Sequence, residues 1–122
     1  MATILNFLVA ILFLSFISRG YCQCGASDIS VTEFRTGFTV QNKLQWRVII
    51  QNPCRCDVWN LTMNCAGFQS AQKIDPSVLS KSGDYCLING GKPIFASSSF
   101  SFNYAWDTTI TWDAVSLNVA CS

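Results

Sequence analysis

The sequence contains no histidine, which removes the commonest general base and the commonest metal ligand of proteins. Nucleophilic catalysis of the serine or cysteine type normally uses a histidine base, so the sequence gives this reaction class no support. Paired carboxylates could still serve a glycosidase, and Asp107 and Asp113, which flank one expected loop, are the least unsuitable pair. Most of the acids stand beside turn signals, where Asp bonds locally to the backbone. We therefore expect neither enzymatic activity nor a cofactor.

Charge is also scarce, since only 12% of the residues are charged and eight basic side chains face seven acidic ones. No run or stripe of one sign occurs, whereas nucleic-acid binding needs a basic patch that neutralises phosphates. Attachment to a membrane surface needs a similar basic cluster. Downstream of the N-terminal leader, no apolar run approaches the roughly 20 residues of a membrane span. We expect neither nucleic acid nor a membrane as a partner of the mature chain.

The N-terminus is almost wholly apolar over residues 1–17, a length that is short for a membrane span and typical of a signal-peptide core. A cut after Cys22 satisfies the preference for small residues and defines a signal peptide at 1–22. It removes one of seven cysteines and leaves an even set. A cut after Gly20 is the alternative. The sequence thus predicts a secreted, extracellular protein with a single domain at 23–122.

Cysteines of a secreted chain pair as disulfides, which stabilise a domain of this size. The six that remain in the domain are Cys24, Cys54, Cys56, Cys65, Cys86 and Cys121. On an extended backbone Cys54 and Cys56 point the same way, so we expect each to bridge a different partner. Their pairing is otherwise open. The one-residue spacer and the missing histidine do not fit a zinc site, so no metal is expected.

Alternation of apolar and polar residues predicts short β-strands. The segments are 29–34, 44–51, 58–65, 99–106 and 115–121, and 67–74 is a weaker candidate. Ile49 adds an apolar residue to the second face of 44–51, which suggests a central strand. We predict an all-β fold, a disulfide-stapled two-sheet β-sandwich of about six to eight strands with one short helical turn at 75–79. Cys65 and Cys121 share the apolar faces of their strands and are expected inside.

The four tryptophans raise the question of a carbohydrate platform. Trp46, Trp59 and Trp106 each fall on an apolar strand face, which favours core packing. Trp112 lies in the polar stretch 108–113 and is the best candidate for exposure. A cell-wall carbohydrate-binding module with Trp112 as its platform is therefore the alternative function.

One sequon for N-glycosylation is present, Asn60-Leu61-Thr62. Asn60 lies on the polar face of its expected strand, and the chain is predicted to enter the secretory pathway. These two features make Asn60 a candidate glycosylation site.

The order of several short motifs resembles one family. They are Cys24 with Asp28-Ile29-Ser30-Val31, Trp46-Arg47-Val48-Ile49-Ile50-Gln51-Asn52-Pro53-Cys54, Cys65-Ala66-Gly67-Phe68-Gln69-Ser70, Ile74-Asp75-Pro76, Cys86-Leu87-Ile88-Asn89-Gly90-Gly91-Lys92-Pro93-Ile94, Phe100-Ser101-Phe102-Asn103-Tyr104-Ala105-Trp106, and the terminal Cys121. Over essentially the whole mature chain this order is similar to the tapetum determinant family of small secreted plant proteins, and most similar to its short branch. The six cysteines of the family carry over onto the six named above.

The resemblance implies a function that the residues alone do not. The best understood member of the family is an extracellular ligand for a leucine-rich-repeat receptor kinase and sets cell fate in the anther. By resemblance, this chain is expected to be an apoplastic signalling ligand whose partner is the ectodomain of such a receptor. A cell-wall polysaccharide is the partner expected for the alternative function. The residues that would contact a receptor are not identifiable from the sequence.

Overall fold

A computed structural model describes residues 24–121 of the chain. The predicted signal peptide at 1–22, both of its cleavage positions and Cys22 lie outside the described residues. In the described part, no helix has the length and apolar character needed to cross a membrane.

Antiparallel strands dominate the described chain, as period-two patterning predicts. Their bounds are β1 (Ser30–Val40), β2 (Lys43–Asn52), β3 (Asp57–Asn64), β4 (Leu79–Ser82), β5 (Tyr85–Ile88), β6 (Ser98–Ala105) and β7 (Asp113–Ala120). Short 3-10 turns occur at Ala26–Asp28 and Asn89–Gly91. A three-stranded sheet has the order β1-β2-β6, and a four-stranded sheet has the order β4-β5-β3-β7. The predicted all-β, two-sheet fold is confirmed.

The core lies between the inner faces of the two sheets. Val48 pairs with Phe102 across β2 and β6, and both are buried. In the four-stranded sheet, Met63 pairs with Cys86 across β3 and β5 and neither is exposed. These residues belong to one apolar cluster. Each sheet therefore buries its apolar inner face against the other sheet. The strand predicted as central, now β2, does lie between β1 and β6.

A β-bulge in β3 corrects the sequence prediction for Trp59. The β3–β7 register shifts between Trp59 and Thr62. Two residues of β3, Asn60 and Leu61, therefore lie opposite a single residue of β7, Leu117. Asn60 has a φ of 51°, in the left-handed region that Asn tolerates better than most residues. Leu61 is then buried and Trp59 stays 38% exposed. Strict alternation, which placed Trp59 on the core face with Leu61, is wrong because the extra residue reverses the phase.

Two further expectations are corrected and one is confirmed. The candidate strand at 67–74 is a bent loop. The predicted helical turn at 75–79 is present, since the backbone N–H groups of Val78 and Leu79 both donate to the carbonyl oxygen of Asp75, and it leads into β4. Asp75 caps this turn as a side-chain acceptor, since the Ser77 backbone N–H donates to Asp75 Oδ1 at 2.8 Å. Cys121, expected inside, is exposed because β7 is an edge strand and Cys121 follows its end. Sequence alternation also missed β4 and β5, which are only four residues long.

The structure pairs the six cysteines of the described chain into three disulfides. Cys24 bonds to Cys54, Cys56 to Cys121, and Cys65 to Cys86. Cys54 and Cys56 each reach a different partner, as their spacing predicts. The first bond ties the entry of β1 to the β2–β3 loop, and the second ties β3 to the end of β7. The third, wholly buried, joins the end of β3 to β5.

Asn52, the last residue of β2, is a buried polar residue. Its Nδ2 donates to the carbonyl oxygens of Cys56 at 2.9 Å and Ile94 at 3.0 Å. Its Oδ1 accepts from the backbone N–H of Cys54 at 3.1 Å. The side chain of Asn52 therefore fixes both the connection between the two sheets and the loop before β6. Without it, these backbone N–H and C=O groups would be buried without a hydrogen-bonding partner.

Candidate functional site

Trp112, the predicted carbohydrate platform, is a core residue, and that prediction is wrong. Its side chain is only 6% exposed. Its ring lies 5.4 Å from that of Phe68, 5.5 Å from that of Phe102 and 6.1 Å from that of Tyr104. The polar stretch around it misled the sequence prediction, because the loop between β6 and β7 folds back over the open end of the core. No sugar can stack on this ring.

A polar cluster lies beside Trp112 on the inner side of edge strand β1. The hydroxyl of Tyr104 donates to the carboxylate oxygens of Glu33, at 3.2 Å to Oε2 and 3.3 Å to Oε1. The buried Nε1 of Trp112 meets no acceptor at hydrogen-bonding geometry, although it lies close enough to favour the charged form of Glu33. Thr109 to Trp112, Val31 and Glu33 line a shallow cleft of about 280 Å³. The cluster links β6 to β1, and the β6–β7 loop lines the cleft beside it.

Burial shifts the titration of both polar members of this cluster. It raises the pKa of Glu33 above its ordinary 4.5, and the nearby N–H of Trp112 and the hydrogen bond from Tyr104 offset part of the shift. Burial, together with the Glu33 charge, raises the pKa of Tyr104. Because neutral Glu33 is the better tolerated form in the fold, this carboxyl acts against stability once it ionises.

A pH dependence of stability follows from the raised pKa of Glu33. Below 4.5, the ordinary value, the group is protonated in both folded and unfolded chains, and its stabilising contribution is complete. As the pH rises through the higher folded pKa, the folded chain gives up its proton and this contribution is lost. We expect the free energy of unfolding to fall over this window, and to fall less steeply in Glu33→Gln. Urea unfolding at successive pH values measures both slopes, and equal slopes would contradict the prediction.

Large apolar side chains stay exposed at separate places on the surface. Those with more than a third of their area in water are Phe34, Phe38, Trp59, Tyr85, Phe95, Val115 and Val119. Phe38, at 71%, is the most exposed of them. Phe34 pairs with Arg47 on the outer face of the three-stranded sheet. Phe34 and Phe38 both lie on β1, an edge strand that forms a long hairpin with β2.

The hairpin end of β1, which we call the β1 arm (residues 34–44), is held in place by hydrogen bonds. Residues 36–38 of β1 lie opposite the single residue Gln45 of β2 and form a bulge. Gly37 makes this bulge possible because it adopts a φ of 91°. Thr36 Oγ1 donates to Gln45 Oε1 at 2.7 Å, and the Phe38 backbone N–H donates to Thr36 Oγ1 at 3.3 Å. Gln45 is tied in turn to Gln72 at 2.8 Å. The bulge thus presents Phe38 to solvent on a fixed backbone.

The sequon lies on the opposite sheet. Asn60 is exposed beside Trp59 at the β3 bulge, and its Oδ1 rests against the backbone of Gly91. A Cβ at position 91 would come within 2.7 Å of that oxygen, so the glycine is required for this contact. Thr62, the third sequon residue, is half-buried and pairs with Leu87 of β5.

Several groups that could support metal binding or catalysis are engaged otherwise. Within residues 24–121, the one cluster with metal-ligand spacing is Cys24, Asp28 and Cys54, and its two sulfurs are bonded to each other. Disulfide sulfur lacks the thiolate charge that binds zinc. Asp107, one of the two acids weighed for glycoside hydrolysis, accepts from Lys43 Nζ at 2.8 Å. The absence of catalysis stays a prediction.

The chain is similar to proteins of flowering plants. It is 32% identical over 101 residues to an uncharacterized protein of Arabidopsis thaliana, with 80% of this chain and 77% of that protein aligned. It is 29% identical over 89 residues to TPD1 protein homolog 1A of Oryza sativa subsp. japonica, with 66% of this chain and 39% of the relative covered. TPD1 protein homolog 1 of Arabidopsis thaliana is 29% identical over 86 residues, covering 68% and 48%. No solved structure matches.

Against these TPD1 homologues the chain spans less than half of the relative's length. A family profile described as "Tapetum determinant 1, C-terminal" matches residues 25–122, which include all three strands of one sheet and all four of the other. Five of the six paired cysteines lie inside the match, and Cys24 immediately precedes it. On the extent of this match, the chain belongs to the tapetum determinant family.

Proposed function

We propose that this protein is a secreted signalling ligand of the plant apoplast that binds the ectodomain of a leucine-rich-repeat receptor kinase during cell differentiation or reproductive development. Family membership supports a signalling-type protein. The receptor role is the one that the family resemblance implies. Three disulfides in 98 described residues suit a protein that must hold one surface constant outside the cell.

The observation that carries the proposal is the β1 arm. Phe34 and Phe38 are exposed on it, and hydrogen bonds fix the backbone that presents Phe38. Buried aromatic anchors supply much of the binding energy at protein interfaces, and a preorganised backbone lowers the entropy lost on binding. Neither phenylalanine contributes to the buried core. The arm therefore offers a receptor two aromatic anchors that the fold does not need for its own packing.

Binding to receptor ectodomains tests this function directly. We expect the secreted full chain to bind one member of a panel of leucine-rich-repeat ectodomains saturably in surface plasmon resonance. Phe38→Ser should weaken that binding at least about tenfold, since loss of an aromatic anchor typically costs 2 kcal/mol or more. The arm backbone should persist in this variant because its hydrogen bonds come from Thr36 and Gln45.

Phe95→Ser is the matched control, because Phe95 is 63% exposed but lies in the loop before β6. Its affinity should equal that of the wild-type chain. An equal loss in both variants, or none in either, would remove the β1 arm as the contact. Failure of every ectodomain to bind would overturn the receptor proposal itself.

The alternative function, a carbohydrate-binding module, cannot use Trp112 as its platform because Trp112 is buried. Trp59 is the one tryptophan with more than a third of its surface exposed among the described residues. Retention on a glucan column by the wild-type chain, with loss of retention in Trp59→Ala, would favour the alternative over the receptor ligand.

A further inference from the structure

The geometry of the β3 bulge points to Asn60 as an N-glycosylated residue whose glycan covers Trp59 and the outer face of the four-stranded sheet. This inference rests on the proposed secretion, because only a chain in the secretory pathway meets the glycosylation enzyme. It goes beyond the proposed function, since it assigns a modification and a covered face.

The bulge gives the sequon a turn-like backbone within a strand. Asn60 has a φ of 51° and stands outside the regular β3–β7 ladder. Sequons are used on surface loops, and a regular strand offers no such conformation. The bulge supplies it at this one position.

The Asn60 side chain is available at the surface. Among the described residues no hydrogen bond engages it, and the residue is exposed. With Oδ1 resting against Gly91, the planar amide directs Nδ2, the atom that carries a sugar, away from that backbone. The left-handed backbone of the bulge accounts for an asparagine at this position, and the unbonded amide leaves Nδ2 free to carry a glycan.

The neighbouring surface fits a sugar. Trp59 is exposed directly beside Asn60, because the bulge places two consecutive side chains on the solvent side. Tryptophan presents a large apolar ring with a polar edge, which suits contact with the first sugar of an attached glycan. Asn118, the cross-strand partner of Trp59, is exposed next to it. The glycan would thus lie on Trp59 and shield its ring from water.

A glycan on this face also restricts where a protein partner can dock. The sequence holds no second sequon, so the outer face of the three-stranded sheet and the β1 arm stay uncovered. The covered face contains Trp59 and Thr62, whereas Phe34 lies on the other sheet. The receptor is therefore expected on the β1 side.

The test is secretion of the full chain from plant cells, followed by digestion with a peptide N-glycosidase and intact-mass measurement. We expect the wild-type chain to lose the mass of one glycan. Asn60→Gln and Thr62→Ala should show no loss, and Thr62→Ser, which keeps the hydroxyl, should behave as wild type. Acrylamide quenching of tryptophan fluorescence should increase on deglycosylation in the wild-type chain but not in Trp59→Phe.

A secreted wild-type chain with no glycosidase-sensitive mass would overturn this inference while leaving the receptor proposal standing. Unchanged quenching after glycan removal would overturn the covering of Trp59. A wild-type chain retained inside the cells would instead contradict the proposed secretion.

Discussion

Trp112→Ala is expected to lower the free energy of unfolding by about 3–5 kcal/mol, the usual cost of removing a fully packed large aromatic side chain. The ring contacts Phe68, Phe102 and Tyr104 at the place where the β6–β7 loop covers the core. Its removal leaves a cavity that these rigid rings cannot fill. A domain of this size is stable by only about 5–15 kcal/mol, so the variant should approach the limit of folding. Urea unfolding followed by circular dichroism measures the change.

Two variants separate loss of packing from loss of the indole as such. Trp112→Phe keeps an aromatic ring and removes an N–H that has no acceptor at hydrogen-bonding geometry, so it should cost about 1–2 kcal/mol. Trp59→Ala removes the same side chain from a partly exposed position and should cost less than half as much as Trp112→Ala. Comparable costs for Trp59→Ala and Trp112→Ala would contradict the burial of Trp112.

Removing the Cys56–Cys121 disulfide with Cys56→Ser and Cys121→Ser should destabilise the protein by about 4 kcal/mol. Of the three disulfides this one closes the longest segment, with a sequence separation of 65 against 30 and 21. In the chain-entropy account, a longer loop restricts the unfolded state more strongly. The bond also holds the exposed end of β7, an edge strand, against the start of β3.

The measurement is the urea midpoint and slope of the double variant against the oxidised wild-type chain. The slope should increase, because the unfolded chain exposes more surface without the bond. Ser116→Ala, an exposed change on the same strand, should stay within about 0.5 kcal/mol of wild type. A double variant that also stays within that range would show that this bond contributes nothing to stability.

The disulfides and the burial of Trp112 differ in how far they could be predicted from the sequence. Disulfides were predicted, because the cysteines follow a signal-peptide-like leader and their even number suits pairing. Which cysteines pair was open, since pairing depends on Cα separations such as the 4.6 Å between Cys56 and Cys121, which only the fold creates. The burial of Trp112 was predicted wrongly, because alternation says nothing about an irregular loop, and the contact with Phe68 is created only by the fold.

Local patterning was sufficient where strands are regular. Alternation over 44–51 and 99–106 identified β2 and β6, and it placed Phe102 and Tyr104 in the core. Each side chain there points to one face by backbone geometry alone, so neighbouring residues carry the information. The all-β, two-sheet class followed from these segments.

The sequence by itself determined the fold class, the separate partners of Cys54 and Cys56, and the position of the sequon. Tertiary structure alone decided that Trp59 is exposed and Trp112 buried, that Cys121 lies at an exposed edge, and that Asn52 fixes the crossing between sheets. The reason is physical. A single bulged residue reverses the phase of a strand, and burial depends on chain segments that return from far along the sequence.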